Sequence, residues 1–196
     1  MKIRKTNKNT EKHYIDMIYS YNECIKLFGS NYALSQALVD KKIFKIKEGL
    51  YSTERKPKEL EMFVKEHKDA IFTLESAFYY LGISDVIPDK YYVATDKDAS
   101  KYKDSNVKQY FMNNGLINIG VTSVIHSGIN VPTFNKERLL IEVIRYKNKL
   151  PFDYYKEIIN YYRSHINDID VSLVLDYLES FPKKDLITKT IQMEVL

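Results

Sequence analysis

The side chains whose types and spacing best suit a chemical role lie between positions 31 and 47, and that role is contact with nucleic acid. A helix predicted over 31–42 turns Leu34, Ala37 and Leu38 towards a core, so polar side chains occupy its other face. The predicted DNA contacts on that face are Asn31, Tyr32, Ser35 and Gln36. An amide such as that of Gln36 both donates and accepts hydrogen bonds, as pairing with adenine requires. The competing interpretation is an ordinary solvated polar face.

Three lysines complete the predicted DNA-binding set. Lys45 and Lys47 alternate with apolar residues, so a strand would place both ammonium groups on one side, where duplex phosphates would lie. Lys42 ends the helix, where its charge equally suits the C-terminal end of the helix dipole. The three lysines therefore predict contacts with the DNA backbone.

Catalytic chemistry has weaker support. Gly29-Ser30 resembles the opening of a nucleotidyltransferase site, which also needs two carboxylates at Asp-x-Asp or Asp-x-Glu spacing to hold Mg²⁺. Asp40 is instead followed by two lysines. Asp89 could open a nuclease site, but the (Asp/Glu)-x-Lys motif that such a site requires does not follow. We therefore expect no enzyme activity.

Metal and cofactor sites are not predicted either. The four histidines, at positions 13, 67, 126 and 165, have neither a helical partner four residues on nor a neighbouring cysteine, so zinc is unsupported. Cys24 lies on an apolar helix stripe and is predicted to be inert core. Asp96 and Asp98 fit a charged turn better than a cation pair. No phosphate loop or glycine-rich dinucleotide motif occurs in the sequence.

Three short helices and a hairpin position these side chains. Apolar residues at helical spacing predict helix over 10–28, divided at Asn22 if that residue acts as a cap. Gly29 ends the helix, and Ser30 or Asn31 caps the next one. Residues 43–52 then partly alternate around the turn Lys47-Glu48-Gly49. This order, at this size, predicts a winged helix-turn-helix.

Charge divides the chain near the same place. Residues 1–58 hold 13 Lys and Arg against 6 Asp and Glu, whereas residues 59–196 hold 17 against 20. A basic first third joined to a mildly acidic remainder suggests a nucleic-acid module fused to another unit, although uneven surface charge is common. Because proline at position 57 ends the wing, we place a DNA-binding domain at 1–56 and a C-terminal domain at 57–196.

The C-terminal domain is predicted to be a small sheet with helices massed towards the end of the chain. β-Branched and aromatic runs or alternation predict strands at 91–95, 117–126 and 129–132. Periodicity and caps predict helices at 57–69, from 73 to Gly82, and at 136–147, 151–165, 170–180 and 183–194. The predicted fold class is therefore helix-rich α+β.

Composition restricts the class of protein. The chain has 196 residues, 44% of them hydrophobic and 29% charged, which is a globular balance. A single cysteine excludes a disulfide framework. No stretch approaches the ~18 apolar residues of a membrane helix, and the basic N-terminus lacks the apolar core of a secretory signal. We expect a soluble cytoplasmic protein without a membrane partner.

Three stretches of sequence resemble a known family. Residues 23–51, with the leucine-bearing helix, the basic strand and Lys47-Glu48-Gly49-Leu50-Tyr51, are similar to the winged-helix domain of AbiEi-type antitoxins. The stretch 73–88, with Ser76-Ala77-Phe78 and Leu81-Gly82-Ile83, resembles that family's next helix and polar turn. Residues 131–145 resemble its Glu-Arg-Thr-Leu-(aliphatic)-Asp helix, except that Leu139 replaces the threonine and Glu142 the aspartate. The resemblance covers residues 20–145.

The resemblance implies a DNA-binding transcriptional autorepressor and antitoxin of a type IV toxin–antitoxin system, which acts in abortive infection as a defence against phage. Its partners would be double-stranded DNA of its own promoter, with inverted repeats, and a nucleotidyltransferase toxin. A stable complex with that toxin is not expected. Two alternatives remain open, a winged-helix regulator whose C-terminal domain senses a ligand and a nucleic-acid-processing enzyme.

Overall fold

The computed structural model describes residues 18–196, and the chain divides into two units between Lys68 and Asp69. The sequence-based boundary lies earlier, at 56/57. The difference arises from one helix, Glu59–Glu66, which the sequence assigned to the second domain. Its Lys65 forms an ion pair with Glu23, so this helix packs with the first unit.

The first unit alternates short strands and helices. Its elements in chain order are β1 (Ile18–Ser20), α1 (Tyr21–Phe28), α2 (Asn31–Val39), β2 (Phe44–Lys47), β3 (Leu50–Ser52) and α3 (Glu59–Glu66). The three strands form an antiparallel sheet in the order β1-β3-β2. Tyr51 in the central strand pairs with Tyr19 on one side and Lys45 on the other.

The predicted helix over 10–28 is wrong at its centre. Its first residues lie outside the described range, and Ile18–Ser20 forms a strand. Ser20 is the N-cap of α1, where its side chain accepts from the Glu23 N–H and the Glu23 carboxylate accepts from the Ser20 N–H. This capping box satisfies two backbone donors at once and starts the helix one residue after the strand.

A small apolar cluster holds the first unit together. It contains the buried residues Tyr19, Cys24, Leu34, Ala37, Ile43 and Tyr51. These side chains come from α1 and α2 and from the strands, so α1 and α2 pack on one face of the sheet. Gly29, with φ +85°, ends α1 in the left-handed conformation, and Ser30 caps α2. The predicted cap roles of both residues are therefore confirmed.

The second unit combines a mixed sheet with a set of helices. Its strands are β4 (Ile71–Phe72), β5 (Tyr91–Asp96), β6 (Val107–Met112), β7 (Val121–His126) and β8 (Ile129–Phe134). Its helices are α4 (Leu74–Tyr80), α5 (Asn114–Ile117), α6 (Lys136–Arg145), α7 (Phe152–Ser164), α8 (Val171–Leu178) and α9 (Lys184–Glu194). The strand order is β6-β5-β4-β8-β7. The α+β, helix-rich class is confirmed.

The strands of the second unit differ from the prediction in several places. The predicted strand over 117–126 begins only at Val121, because Ile117 ends α5 and Gly120 turns the chain at φ +69°. The strand over 129–132 continues past Pro132 to Phe134. Within β8 only Thr133 pairs with β4, so Pro132 has no partner strand on that side. The N–H that proline lacks is therefore not needed for a second ladder. β4 and β6 were not predicted.

The helix α6 lies at the centre of the second unit, and a buried ion pair lies within it. Every residue from Arg138 to Ile144 is buried. The Arg138 guanidinium lies 2.6 Å from the Glu142 carboxylate and packs against the rings of Phe134 and Phe181. Burial lowers the pKa of Arg138 to about 10, although the charge of Glu142 opposes that shift. Arg138 therefore remains charged at neutral pH.

No helix within residues 18–196 is both long and apolar enough to cross a membrane. The longest helix there is α7, with 13 residues, whereas a span of the hydrocarbon core takes about 20 apolar residues.

Gly120→Ala is expected to destabilise the second unit by about 2–4 kcal/mol. An added Cβ would lie 2.6 Å from the Cβ of Arg138 and 2.8 Å from the Asn135 Oδ1 that caps α6, at a backbone φ that disfavours alanine. Urea unfolding followed by circular dichroism measures the loss. Gly128→Ala is the control, because φ is +83° there and nothing lies within 4 Å. An equal loss in both variants would contradict the close-packing account.

Candidate nucleic-acid interface

The helix α2 has one buried face and one exposed face. Leu34 and Ala37 are 3% and 4% exposed and pack in the core of the first unit. The opposite face carries Asn31, Tyr32, Ser35, Gln36 and Val39, all exposed. Tyr32 and Val39 are 75% and 74% exposed, which is unusual for large apolar side chains. The structure thus places the four predicted base-contacting residues on one accessible surface.

The hairpin β2–β3 follows α2 after a short turn. Its lysines Lys45 and Lys47 are exposed and alternate with the half-buried Phe44 and Ile46, as the sequence pattern predicted. The register shifts by one residue between Lys45 and Lys47, and Gly49 takes φ +75° in the turn. Such a bulge increases the local twist of the strand pair and sets the direction of the hairpin tip.

A backbone hydrogen bond ties the hairpin tip to the helices. The N–H of Tyr21, the first residue of α1, donates to the Gly49 carbonyl at 3.0 Å. The Tyr21 hydroxyl also donates to the Oδ1 of Asn31 at the start of α2. The start of α1 therefore contacts both the hairpin turn and the exposed face of α2. The side-chain amide nitrogen of Asn31 remains available as a donor.

Two of the three predicted phosphate-contacting lysines already have a carboxylate partner. Lys47 forms an ion pair with Glu66 of α3, and Lys42 lies 3.1 Å from Asp40. Lys45 forms no ion pair with any residue in 18–196 and is exposed. Solvent-exposed pairs contribute little energy, so both lysines can exchange a carboxylate for a phosphate at low cost.

The charged network under the interface centres on Glu23. Its carboxylate accepts from the Ser20 N–H at 2.7 Å and from the Lys65 ammonium at 3.0 Å. Burial opposes ionisation of Glu23, but these hydrogen bonds and the charge of Lys65 prevail and lower its pKa to about 2. Glu23 thereby joins the cap of α1 to α3 by a charge-assisted contact.

Sequence reasoning missed several residues that support the interface. The motif Ser20-x-x-Glu23 is a capping-box signal and predicts where α1 begins. The contact of Lys47 with Glu66 and that of Tyr21 with Asn31 join residues far apart along the chain, so local pattern does not reveal them. Val39 was not among the predicted contacts, although it lies on the same exposed face of α2.

The other chemical candidates in the sequence have structural roles. Asp96 accepts from the backbone N–H of Asp98 at 2.9 Å, as expected of a charged turn. His126 packs against the rings of Tyr79 and Tyr80. Burial raises the pKa of the Cys24 thiol to about 11. Within 18–196, no group of three or more His, Cys, Asp or Glu side chains is placed to hold a metal ion.

Glu23→Gln should destabilise the first unit at pH 7 by about 1 kcal/mol, a modest value because solvent screens a side chain that is 37% exposed. A carboxyl whose pKa falls from 4.5 to about 2 on folding contributes stability above pH 4.5. That contribution is lost as the pH falls towards 2. Urea unfolding of wild type and variant between pH 2 and 7 should therefore show a difference that closes below about pH 4.5.

Glu48→Gln is the control, because it removes the same charge from the exposed hairpin turn. A Glu23→Gln effect that is absent at pH 7, or that persists unchanged at pH 2, would contradict the role assigned to this network.

Comparison with models of protein families and with curated proteins finds no match to this chain.

Proposed function

We propose that residues 18–68 form a winged helix that reads duplex DNA, with α2 in the major groove and the β2–β3 hairpin on the phosphate backbone. One observation carries this proposal. The exposed face of α2 is polar from Asn31 to Gln36, and a hairpin with exposed lysines follows that helix directly. In helix-turn-helix proteins the second helix enters the groove and its N-terminal residues contact base edges.

The topology of the first unit supports the same function. Two helices joined by Gly29 and Ser30 precede a two-stranded hairpin, and a preceding strand completes the sheet in the order β1-β3-β2. The helix pair is the helix-turn-helix element, and the hairpin is the wing. Short connections between these elements keep α2 and the lysines of the wing in a fixed relation.

Charge supports contact with DNA. Residues 1–68 hold 15 Lys and Arg against nine Asp and Glu, whereas residues 69–196 hold 15 against 17. The positive excess of the first stretch attracts the polyanionic duplex. Specific contacts from α2 and a few lysines then add to this attraction, with base readout from the amides and hydroxyls.

The wider proposal is a transcriptional autorepressor and type IV antitoxin that counters a nucleotidyltransferase toxin. It rests on the resemblance to AbiEi-type proteins. The motif residues over 131–145 form β8 and α6, and Glu142 pairs with Arg138 in the core. In this chain the acidic residue at the motif's last position therefore pairs with the motif arginine. Antitoxin action would require no tight complex with the toxin.

DNA binding is tested by mobility shift of the full chain with duplex DNA from upstream of its own coding sequence, at two salt concentrations. Gln36→Ala is expected to weaken binding to the preferred sequence by about 1–3 kcal/mol and to relax sequence preference. Lys45→Ala should weaken binding to all sequences alike and reduce the log–log salt slope by about 1. Lys47→Ala should act in the same way but less strongly, because Lys47 must first leave Glu66.

The matched control is Lys189→Ala, which removes one exposed lysine from α9. Binding that is unchanged in Gln36→Ala and Lys45→Ala, or equally reduced in Lys189→Ala, would contradict the assigned interface.

Antitoxin action is tested separately by co-expression with a nucleotidyltransferase toxin encoded beside the chain. The full chain is expected to restore growth, and the double variant Gln36→Ala/Lys45→Ala should restore it equally when expressed from a foreign promoter. The physical reason is that these side chains lie on the surface of the first unit and contribute nothing to its core. Failure of the wild-type chain to restore growth would contradict the antitoxin role and leave DNA binding to be judged by mobility shift.

A further inference from the structure

A basic groove crosses the second unit between the end of α6 and one face of α9. It encloses about 440 Å³, which lies in the range of small-molecule sites. Its charged lining is Arg145 from α6, Lys147 from the turn after it and Lys183, which precedes α9. Its apolar lining includes Ile144, Leu186 and Ile187.

The charges around this groove are unbalanced. The lining contains three cations, and none of the described residues that form it is Asp or Glu. Glu142 lies behind Arg145 and accepts from its Nη1 at 2.8 and 2.9 Å. The same carboxylate also partners the fully buried Arg138, so one negative charge serves two guanidinium groups. The triad of Arg138, Glu142 and Arg145 therefore keeps one unbalanced positive charge, which an anionic ligand could balance.

The other two cations, Lys147 and Lys183, differ in how accessible their charge is to a ligand. Lys147 is paired with Glu194 and lies over the ring of Tyr155. Lys183 is exposed, has φ +62°, and forms no ion pair with any residue in 18–196. The side chain most open to an incoming anion is therefore Lys183.

The groove is also fixed in place before any ligand arrives. Two hydrogen bonds to Glu142 hold the Arg145 guanidinium, which lies 5.0 Å from the centre of the Phe181 ring. Its side chain is only 22% exposed. A guanidinium held in this way loses little conformational entropy when it binds an anion.

We propose that this groove binds a small organic anion, a phosphomonoester or a carboxylate attached to an apolar body. The anionic group contacts Arg145 and Lys183, where it balances the excess charge of the Arg138–Glu142–Arg145 triad. The apolar body lies against Leu186 and Ile187. The site belongs wholly to the second unit and does not depend on the proposed DNA-binding function.

The test is calorimetric titration of the full chain with phenyl phosphate and with benzoate, and with benzyl alcohol as the neutral analogue. Saturable binding of at least one anion is expected, without saturation by the alcohol. Lys183→Gly should weaken that binding about threefold or more, as loss of an exposed charge contact does. Glycine relieves the positive φ at this position, so the variant is expected to fold.

Lys147→Gln is the second variant, and it should weaken binding of the same anion less than Lys183→Gly does, because Lys147 is already paired with Glu194. Lys184→Gln is the matched control, because Lys184 is the next residue, pairs with Glu179 and does not line the groove. The two anions distinguish a phosphate ligand from a carboxylate ligand. The proposal is overturned if neither anion shows saturable binding or if benzyl alcohol binds as tightly as the anions. It is also overturned if Lys184→Gln weakens binding as much as Lys183→Gly does.

Discussion

Burial of Leu34 and Ala37 decides what the first unit can do. These two side chains fix the rotation of α2 about its own axis, because they pack with Tyr19, Ile43 and Tyr51 in a small core. Once they are buried, helical geometry requires residues 31, 32, 35, 36 and 39 to face water. A loss of this packing would leave α2 free to rotate, and its polar residues would no longer share a surface.

Several local contacts secure that arrangement. The capping box of Ser20 and Glu23 starts α1, and Gly29 ends it after two turns. Lys65 of α3 binds the capping carboxylate, so a helix that follows the β2–β3 hairpin in the chain packs in the first unit. Lys47 makes a second ion pair with the same helix. Two ion pairs therefore hold α3 to the rest of the first unit.

A different constraint organises the second unit. α6 is buried along nearly its whole length, so the rest of the unit is built around it. Buried ion pairs are costly to desolvate and rarely stabilise a fold as well as apolar packing does. Here Glu142 holds two arginines, and only one of them, Arg145, reaches a groove that opens to solvent. The unbalanced positive charge at Arg145 is thus a consequence of the ion pairs that Glu142 forms in the core.

The sequence predicted those elements whose signals are local. α2, the hairpin and α6 to α9 were predicted within a few residues, because caps such as Asn135, a proline at 151 and helical spacing mark them. β1 was missed because Ile18 and Tyr19 fit a helical spacing as well as a strand. β6 was missed because it lies at a sheet edge, where most of its residues are partly or fully exposed and polar and apolar side chains do not alternate clearly.

The candidate interface was predictable to a similar extent. The exposed face of α2 follows from periodicity, and the exposed lysines of the β2–β3 hairpin follow from alternation. The partners of Lys47 and Asn31 do not, because these contacts depend on how separate elements fold together. For the same reason, the groove between α6 and α9 left no local signal in the sequence.

The most direct test of the central claim is nuclear magnetic resonance of the ¹⁵N-labelled full chain, titrated with duplex DNA from upstream of its own coding sequence. The amide shifts are expected to change most from Ser30 to Gln36 at and after the start of α2 and from Lys45 to Gly49 in the β2–β3 hairpin. Changes confined to residues 69–196, or no change in α2 at DNA concentrations that saturate the protein, would contradict the claim.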